Sequence, residues 1–480
     1  MIGILLAAGR GTRMKSDRPK VLFTVNDEPM AFPAYQALLE LCNPVGVVIG
    51  YGGSDVKASL LERASELMNL KSLGFQEKTI FFTQQELKGT GDAVRTAMQG
   101  FLRGGHKVDP AEEVIILNGD LPLIRKQTLD YFIAEARKQN LDSACMTFTT
   151  MNPSGLGRIL RDMRSVFEGI REEKDASPSE KKIREVNSGV YYFKAAALLN
   201  SLEKISDNNQ QKEFYLTDTL GSASGFKSEA IRCPFKWDLS GVNNAYELAI
   251  ARSLSQARLQ KNLAENLGVS FADPLSSFVS ARAQFEGPCV VGPNVQILGR
   301  SKIGKEVEIV GSSLIENTEI QDKVLVDFSC VLRSAVLKQG SKVGPFAHLR
   351  PESVVGEEAK VGNFVELKKT TLGKGAKVNH LAYLGDADVG EESNIGCGTI
   401  TCNYDGVMKH KTYIGKNVFI GSDTQLIAPI TVGDNAYVAS GTTLTEDVPA
   451  GALALSRAEL TVKADYANRL KARLKSKGSK

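Results

Sequence analysis

The second half of this 480-residue chain carries a six-residue period, and nothing else in the sequence restricts the fold so tightly. Val291, Ile297, Ile303, Ile309 and Ile315 fall six apart, as do Leu325, Val331, Leu337, Val343, Leu349, Val355, Val361 and Leu367. Leu372, Val378 and Leu384 continue after a one-residue slip, and Ile414, Ile420, Leu426, Val432, Val438 and Leu444 form a last series. Glycine often comes next, as in Ile303-Gly304 and Val343-Gly344. An α-helix repeats every 3.6 residues or so and a strand every two, so a period of six fits neither. It predicts a solenoid: each hexad forms one flat face, three faces close a coil, and the aliphatic residue points inward onto its equivalents in neighbouring coils. The register breaks at residues 401–411, where Cys402-Asn403-Tyr404-Asp405-Gly406 must leave the coil as a loop. Loops leaving a rigid scaffold are common carriers of function.

The first half follows another pattern. Short apolar runs at Ile2–Ala8, Val45–Ile49, Thr79–Phe82, Val114–Leu117 and Ala144–Phe148 alternate with helical stretches at Ala31–Leu41, Asp55–Met68, Gly91–Phe101 and Lys126–Lys138. This alternation predicts a Rossmann-like α/β domain with a mostly parallel sheet, whose ligands sit at the carboxyl ends of the strands. The polar segment Arg171–Glu185 reads as a mobile loop. Residues 242–266 lack Pro and Gly and read as a linking helix. The expected division is therefore an α/β domain over 1–238, a linker helix over 239–268, a β-solenoid over 269–460 and a basic tail over 461–480.

Composition excludes several function classes. The net charge of +4 is small for this length and gives no reason to expect nucleic-acid binding. No apolar run is long enough for membrane insertion, and Ile2–Ala8, without a basic flank, reads as a buried strand and not as a secretion signal. Seven cysteines without paired C-x-x-C spacing argue for reduced thiols in a cytoplasmic protein.

The first strand runs into Leu6-Ala7-Ala8-Gly9-Arg10-Gly11-Thr12-Arg13-Met14, and Pro19-Lys20-Val21-Leu22 follows. Gly9 and Gly11 let backbone N–H groups approach phosphate oxygens, and Arg13 and Lys20 add cations. No Gly-Lys-Ser/Thr follows, so this is not a Walker loop, and Met14 stands where a dinucleotide fingerprint has its third glycine. Taken whole, the string resembles the signature of the sugar-nucleotidyltransferase superfamily. Gly89-Thr90-Gly91, Asn118-Gly119-Asp120, Gly155-Leu156-Gly157-Arg158, Glu172, Asn187 and Gly241-Val242-Asn243 follow in that family's order. The family reaction joins two anions, a sugar 1-phosphate and a nucleoside triphosphate, so it needs cations and a divalent metal more than a protein nucleophile. Asp120 is the expected ligand, with Asn243 its partner by resemblance, and such hard oxygens suit Mg2+. The resemblance implies nucleotide and sugar contacts from Leu6, Ala7, Ala8, Gly9, Lys20, Gln84, Gly89, Thr90, Asn118, Gly119, Asp120, Gly157, Glu172, Asn187 and Asn243. It makes Arg13 and Lys20 catalytic and uracil the base, with Gln84, Gly89 and Thr90 reading it.

Hexapeptide solenoids occur in acyltransferases, in inert arms and in zinc carbonic anhydrases, so the repeat alone does not fix an activity. The chain has four histidines, His106, His348, His380 and His410. The stretches Pro345-Phe346-Ala347-His348-Leu349-Arg350-Pro351, Asn363-Phe364-Val365-Glu366-Leu367-Lys368, Asn379-His380-Leu381-Ala382-Tyr383 and Asn394-Ile395-Gly396-Cys397 lead into the loop. They resemble the bifunctional bacterial N-acetylglucosamine-1-phosphate uridyltransferase/glucosamine-1-phosphate acetyltransferase family, over nearly the whole chain. That family gives only His380 a role among the histidines, which sets the zinc reading aside. An amine attacking a thioester must lose a proton, and neutral imidazole is the side chain suited to take it near pH 7. His380 is the expected base, with Glu366 holding its other ring nitrogen.

The same resemblance implies that Arg350 and Lys368, assisted by Lys409, bind the phosphate of glucosamine 1-phosphate, and that Tyr383 and Asn394 orient the sugar. Cys397, Asn403, Tyr404, Ser422, Ser440 and Arg457 fall at acetyl-coenzyme A positions. Cys397 and Ser440 stand where relatives commonly carry alanine, and Asn118 replaces a tyrosine found in some members. The family also implies a left-handed β-helix, a homotrimer and small-molecule substrates: acetyl-coenzyme A, UTP and glucosamine 1-phosphate. Two rival readings are a single-activity pyrophosphorylase with an inert solenoid and a non-catalytic sugar sensor.

Overall fold

The computed structural model describes residues 1–477. The chain divides into two compact units, the first spanning Met1–Leu259 and the second starting at Gln260.

Seven strands form the main sheet of the first unit: β1 (Ile2–Ala7), β2 (Val45–Ile49), β3 (Thr79–Thr83), β4 (Glu113–Asn118), β5 (Ser143–Thr149), β6 (Glu185–Lys194) and β7 (Ser228–Arg232). Their lateral order is β7-β5-β6-β4-β1-β2-β3. Every neighbouring pair is parallel except the two made by β6. Helices α1 (Phe32–Leu41), α2 (Gly53–Glu66), α3 (Thr90–Arg103) and α4 (Lys126–Lys138) fall where the alternating pattern expects them. Strand β1 shows why the sheet needs cover on both faces. Its Leu5 and Ala7 pack with Phe32, Tyr35 and Leu38 of α1, while Ile2 and Ile4 pack with Val94, Ala97 and Phe101 of α3. Each fully buried large aliphatic side chain contributes about 1.5–3 kcal/mol.

The sequence pattern did not reveal β6. Val186 through Phe193 are all buried, so no polar alternation marks the strand. Nor is Arg171–Glu185 the free loop expected from its charge. Arg158, fully buried, reaches it with a 2.6 Å ion pair to Glu173, and Ser177 N donates to the Glu180 carboxylate at 2.7 Å. The charges that suggested solvent instead tie the segment down.

The helix Ala245–Leu267 carries the chain out of the first unit. On it, Arg258 pairs with the buried carboxylate of Asp238 at 2.7 Å, and Arg252 Nε donates to the Thr24 carbonyl at 2.9 Å.

The second unit is a parallel β-helix of hexapeptide coils. Three interior columns run along it. One is Val279, Ile297, Ile315, Leu332, Leu349, Leu367 and Leu384. The next begins Val291, Ile309, Val326, Val343, Val361, and the third Phe285, Ile303, Ile320, Leu337, Val355. Two of the expected interior residues are corrected here. Leu325 and Val331 lie at the surface, and their neighbours Val326 and Leu332 are the buried ones. The reason is a five-residue face from Ile315 to Ile320, repeated from Leu332 to Leu337. Asn317 and Ser334 take left-handed backbone there and tighten the corner. Such coils are 17 residues long instead of 18.

At the predicted break, the offset between coil neighbours jumps to 25, as between Ser393 and Val418. The extra residues form a small hairpin closed by a Tyr404–Lys409 bridge. Thr401 replaces the aliphatic interior residue just before it, accepting from Gly385 N at 2.7 Å. The tail contains an exposed helix, Tyr466–Lys477. Among the described residues no helix is long and apolar enough to cross a membrane.

Candidate functional site

In the first unit, β1 and β4 are register neighbours, Leu6 opposite Asn118, so their carboxyl ends open side by side. Above them lies a cavity of about 390 Å³. Leu6, Ala8, Gly9 and Lys20 line one side of it, Gln84, Gly89 and Thr90 another, and Asn118, Gly119 and Asp120 the base. Ala7 is not a wall, because strand alternation turns its side chain into the core beneath. The two loop glycines have different tasks. A side chain at Gly9 would meet nothing within 4 Å, so the residue leaves room for a ligand. Gly11 has φ of 69°, and a Cβ there would overlap Lys20, so it lets the lysine cross beneath the loop.

Lys20 Nζ is 2.6 Å from Asp120 Oδ2 and 3.0 Å from Asn243 Oδ1. Arg13 Nη2 donates to the same Asn243 oxygen at 2.8 Å. Two hard oxygens thus already converge on one positive charge. Among the described residues no cluster of three or more His, Cys, Asp or Glu side chains forms a closed metal cage. A two-oxygen donor set instead fits a cation that keeps waters and phosphate oxygens as its other ligands.

Gly157, Glu172 and Asn187 form a second group. A Cβ on Gly157 would lie 3.5 Å from both Asn187 Cβ and Glu172 Oε1. Asn187 Nδ2 donates to the Tyr191 hydroxyl at 2.8 Å, and Glu172 accepts from Thr217 at 2.9 Å. Burial pushes the Glu172 carboxyl above the usual glutamate range, and nearby Asp218, Asp175 and Glu213 add to the rise. Asn118 bridges the two groups, since its amide packs on the backbone of Gly189, leaving no space there for a side chain.

In the second unit, Arg350, Glu366 and Tyr383 gather on one face. Lys368 is 3.9 Å from Asp386, which also accepts from Asn403 Nδ2 at 2.5 Å. The Lys409 amine beside Lys368, and then burial, hold its pKa below the ordinary lysine range, with Asp386 acting in the opposite sense. Crowded cations of this kind are a ready phosphate site. Asn394 stands apart, on the face carrying Lys377 and Phe419. The Tyr404 hydroxyl is committed within its hairpin, donating to the Gly406 carbonyl at 2.6 Å.

Cys397, Ser422, Ser440 and Arg457 occupy one corner on successive coils. Asp423 N donates to the Cys397 carbonyl at 2.7 Å, Ser422 N to Ser440 Oγ at 3.1 Å, and Arg457 Nη2 to the Ser440 carbonyl at 3.0 Å. His380 sits on the same corner one coil below Cys397, and both are exposed.

A MobA-like NTP transferase domain model matches residues 3–210, and a bacterial transferase hexapeptide model of six repeats matches residues 411–446. The bifunctional protein GlmU of Clostridium acetobutylicum is 39% identical over 469 residues, 97% of this chain and 98% of that protein. The chain belongs to the bifunctional GlmU family. The GlmU proteins of Sorangium cellulosum and Syntrophotalea carbinolica, each 40% identical, cover 100% and 99% of this chain.

Within this GlmU-family scaffold one expected contact is corrected. Glu366 does not hold the second ring nitrogen of His380. The coil register sets Glu366 opposite Tyr383, and its carboxylate accepts from Arg350 Nη1 at 3.0 Å. The His380 partner is Asn363, whose Oδ1 is 2.8 Å from Nδ1. Sequence reading missed Asn363, yet the signal was present: it lies one 17-residue coil before His380. It also missed Arg10, Thr12 and Glu213, which line the cavity of the first unit. Glu213 comes from a loop with no motif, brought in by Phe214 N bonding to the Lys88 carbonyl at 2.8 Å.

Proposed function

We propose that this chain synthesises UDP-N-acetylglucosamine in two reactions. The β-helix unit transfers the acetyl group of acetyl-coenzyme A to glucosamine 1-phosphate. The α/β unit then couples the product to UTP and releases pyrophosphate. The observation that carries this reading is the pairing, in one chain, of the Lys20–Asp120–Asn243 cluster at the phosphate cavity with His380 and Lys368 on the two paired nine-residue strands of the solenoid.

In acetyl transfer the amine nitrogen attacks the thioester carbonyl, His380 takes the amine proton, and the coenzyme A thiolate leaves. Arg350 and Lys368 hold the sugar phosphate, and Cys397, Ser422, Ser440 and Arg457 offer the coenzyme a track along their corner. In uridylyl transfer Arg13 and Lys20 bring the two anions together. Mg2+ held by Asp120 and Asn243 would neutralise the developing charge on the triphosphate. Gly157, Glu172 and Asn187 hold the sugar. Gln84 gives its amide N–H groups to Asp92 at 2.8 Å and to the Gly89 carbonyl at 3.2 Å, which leaves its oxygen as acceptor. That oxygen can accept from a base N–H, and uracil offers one at its ring nitrogen.

A homotrimer is supported by an exposed apolar ladder on the solenoid. Phe328, Phe346, Phe364 and Leu381 follow one another on successive coils, and the rings of Phe346 and Phe364 stack with centroids 5.3 Å apart. Such a strip marks an interaction surface. It runs directly beside Asn363 and His380, and the separation of Asn394 from Tyr383 within one protomer also favours a site completed by a second copy. A cytoplasmic location is supported by seven free cysteines, five of them buried.

One product assay tests the whole reading. Glucosamine 1-phosphate, acetyl-coenzyme A, UTP and magnesium should together give UDP-N-acetylglucosamine. Omitting acetyl-coenzyme A should stop the first step only, since added N-acetylglucosamine 1-phosphate restores the product. No acetyl transfer from the intact protein would leave a single-activity pyrophosphorylase.

A further inference from the structure

Most strands of the solenoid are two or three residues long and end at each corner. Lys360–Lys368 and Lys377–Gly385 differ: each has nine residues, and they pair continuously through a corner. They are the only two such strands of the solenoid among the described residues. Within that ladder Asn363 is the register partner of His380. Phe364 and Leu381, the next residue on each strand, take left-handed backbone with φ of 58° and 36°. The same conformation turns the chain at other corners of the solenoid, as at Asn317, Ser334 and Phe346. Just before this turn the register brings two polar side chains on adjacent strands together at 2.8 Å, Asn363 Oδ1 against His380 Nδ1.

An amide oxygen carries no hydrogen and can only accept. Nδ1 must therefore be the protonated nitrogen of a neutral imidazole, and Nε2 carries the lone pair. We propose that Asn363 is the positioning residue of acetyl transfer: it fixes the proton of His380 on Nδ1 and so leaves Nε2 bare to accept the amine proton. This rests on the reading of His380 as the base. The usual partner for such a histidine is a carboxylate, which also stabilises imidazolium. A neutral amide fixes the tautomer without adding charge. Glu366, the nearest carboxylate along the strand, is three positions away and engaged by Arg350 at 3.0 Å.

The test uses the full-length protein and the variants Asn363→Leu, Asn363→Asp, Glu366→Gln and His380→Ala. Nitrogen-15 spectra of the histidine rings, only four in the chain, read the tautomer directly. The intact protein should show His380 protonated at Nδ1. Asn363→Leu should lose that preference and cost about 10-fold in kcat for acetyl transfer, with KM for the sugar phosphate little moved. Asn363→Asp, of the same shape and expected to fold where the leucine variant does not, should raise the midpoint of the acidic limb by about 1 pH unit. Glu366→Gln should leave tautomer and midpoint in place. The inference is overturned if Asn363→Leu keeps both the tautomer and kcat, or if Glu366→Gln moves the limb and Asn363→Asp does not. Acetyl transfer that survives His380→Ala overturns the assignment of the base itself, a different failure from intact dependence on His380 with no dependence on Asn363.

Discussion

Leu332 and Val331 are adjacent, similar in apolar character, and assigned to opposite sides of the solenoid wall by the five-residue face that precedes them. Leu332 is 0% exposed and stacks between Ile315 and Leu349 in an interior column. Val331 is partly exposed on the outer surface. Truncating Leu332 to alanine removes three carbons from a position enclosed by coils above and below, which cannot collapse without breaking their own ladders. A cost near the middle of the range for buried leucines, about 3–4 kcal/mol, is expected. For a unit of roughly 200 residues each kcal/mol moves the melting temperature by about 2–4 °C, so Leu332→Ala should lower the solenoid transition by about 6–16 °C. Val331→Ala gives up little burial and should shift it by less than about 2 °C. Differential scanning calorimetry, which can separate the transitions of the two units, provides the measurement. Equal shifts, or a larger one for Val331→Ala, would refute the five-residue faces and restore an unbroken period of six.

Three further outcomes follow from the sites. Asp120→Ala should reduce uridylyl transfer by about 10²–10³-fold and raise the magnesium concentration needed for half-maximal rate, while acetyl transfer, assayed separately, is retained. Affinity for glucosamine 1-phosphate should fall as pH rises through the depressed pKa of Lys368. Lys409→Met should move that limb to higher pH while raising KM overall, and a limb that stays put would deny the coupling. Glu172 has a folded pKa above its unfolded value, so its stabilising effect is complete below the ordinary glutamate range and is lost as pH rises through the folded value. Glu172→Gln should therefore shrink the drop in melting temperature of the α/β unit between about pH 4 and pH 7.

Much of this architecture could be read from residue order, and the gaps have physical causes. The spacing of Ile297, Ile303 and Ile309 announced the coils because each interior residue is forced inward by its neighbours. At Leu325-Val326 and Val331-Leu332 two aliphatics stand side by side, so periodicity alone could not choose between them; corner geometry does. The alternating runs Val45–Ile49 and Thr79–Phe82 announced the parallel strands, whereas β6, buried on both faces, carried no contrast to detect. The place of the glycine loop on the cavity was legible because its glycines and cations stand close together in sequence after the first strand. The contact between Asn363 and His380 was not, since it joins residues on separate coils and follows from counting coil length and not from any motif. Glu366 misled for the same reason: it is closer to His380 in sequence than Asn363 is, but the register turns it toward Arg350.

The corner that carries His380, Cys397, Ser422, Ser440 and Arg457 is graduated like a ruler. Neighbouring strands in a parallel ladder stand about 4.8 Å apart, so four coils separate the imidazole from the guanidinium by about 19 Å. That distance can change only in whole marks. Inserting one complete coil between Cys397 and Ser422 would lengthen the track by a single mark and leave every interior column intact, whereas a partial coil would rotate all later side chains off the corner. A scaffold of this kind can be re-gauged for a longer or shorter acyl carrier without designing a new core.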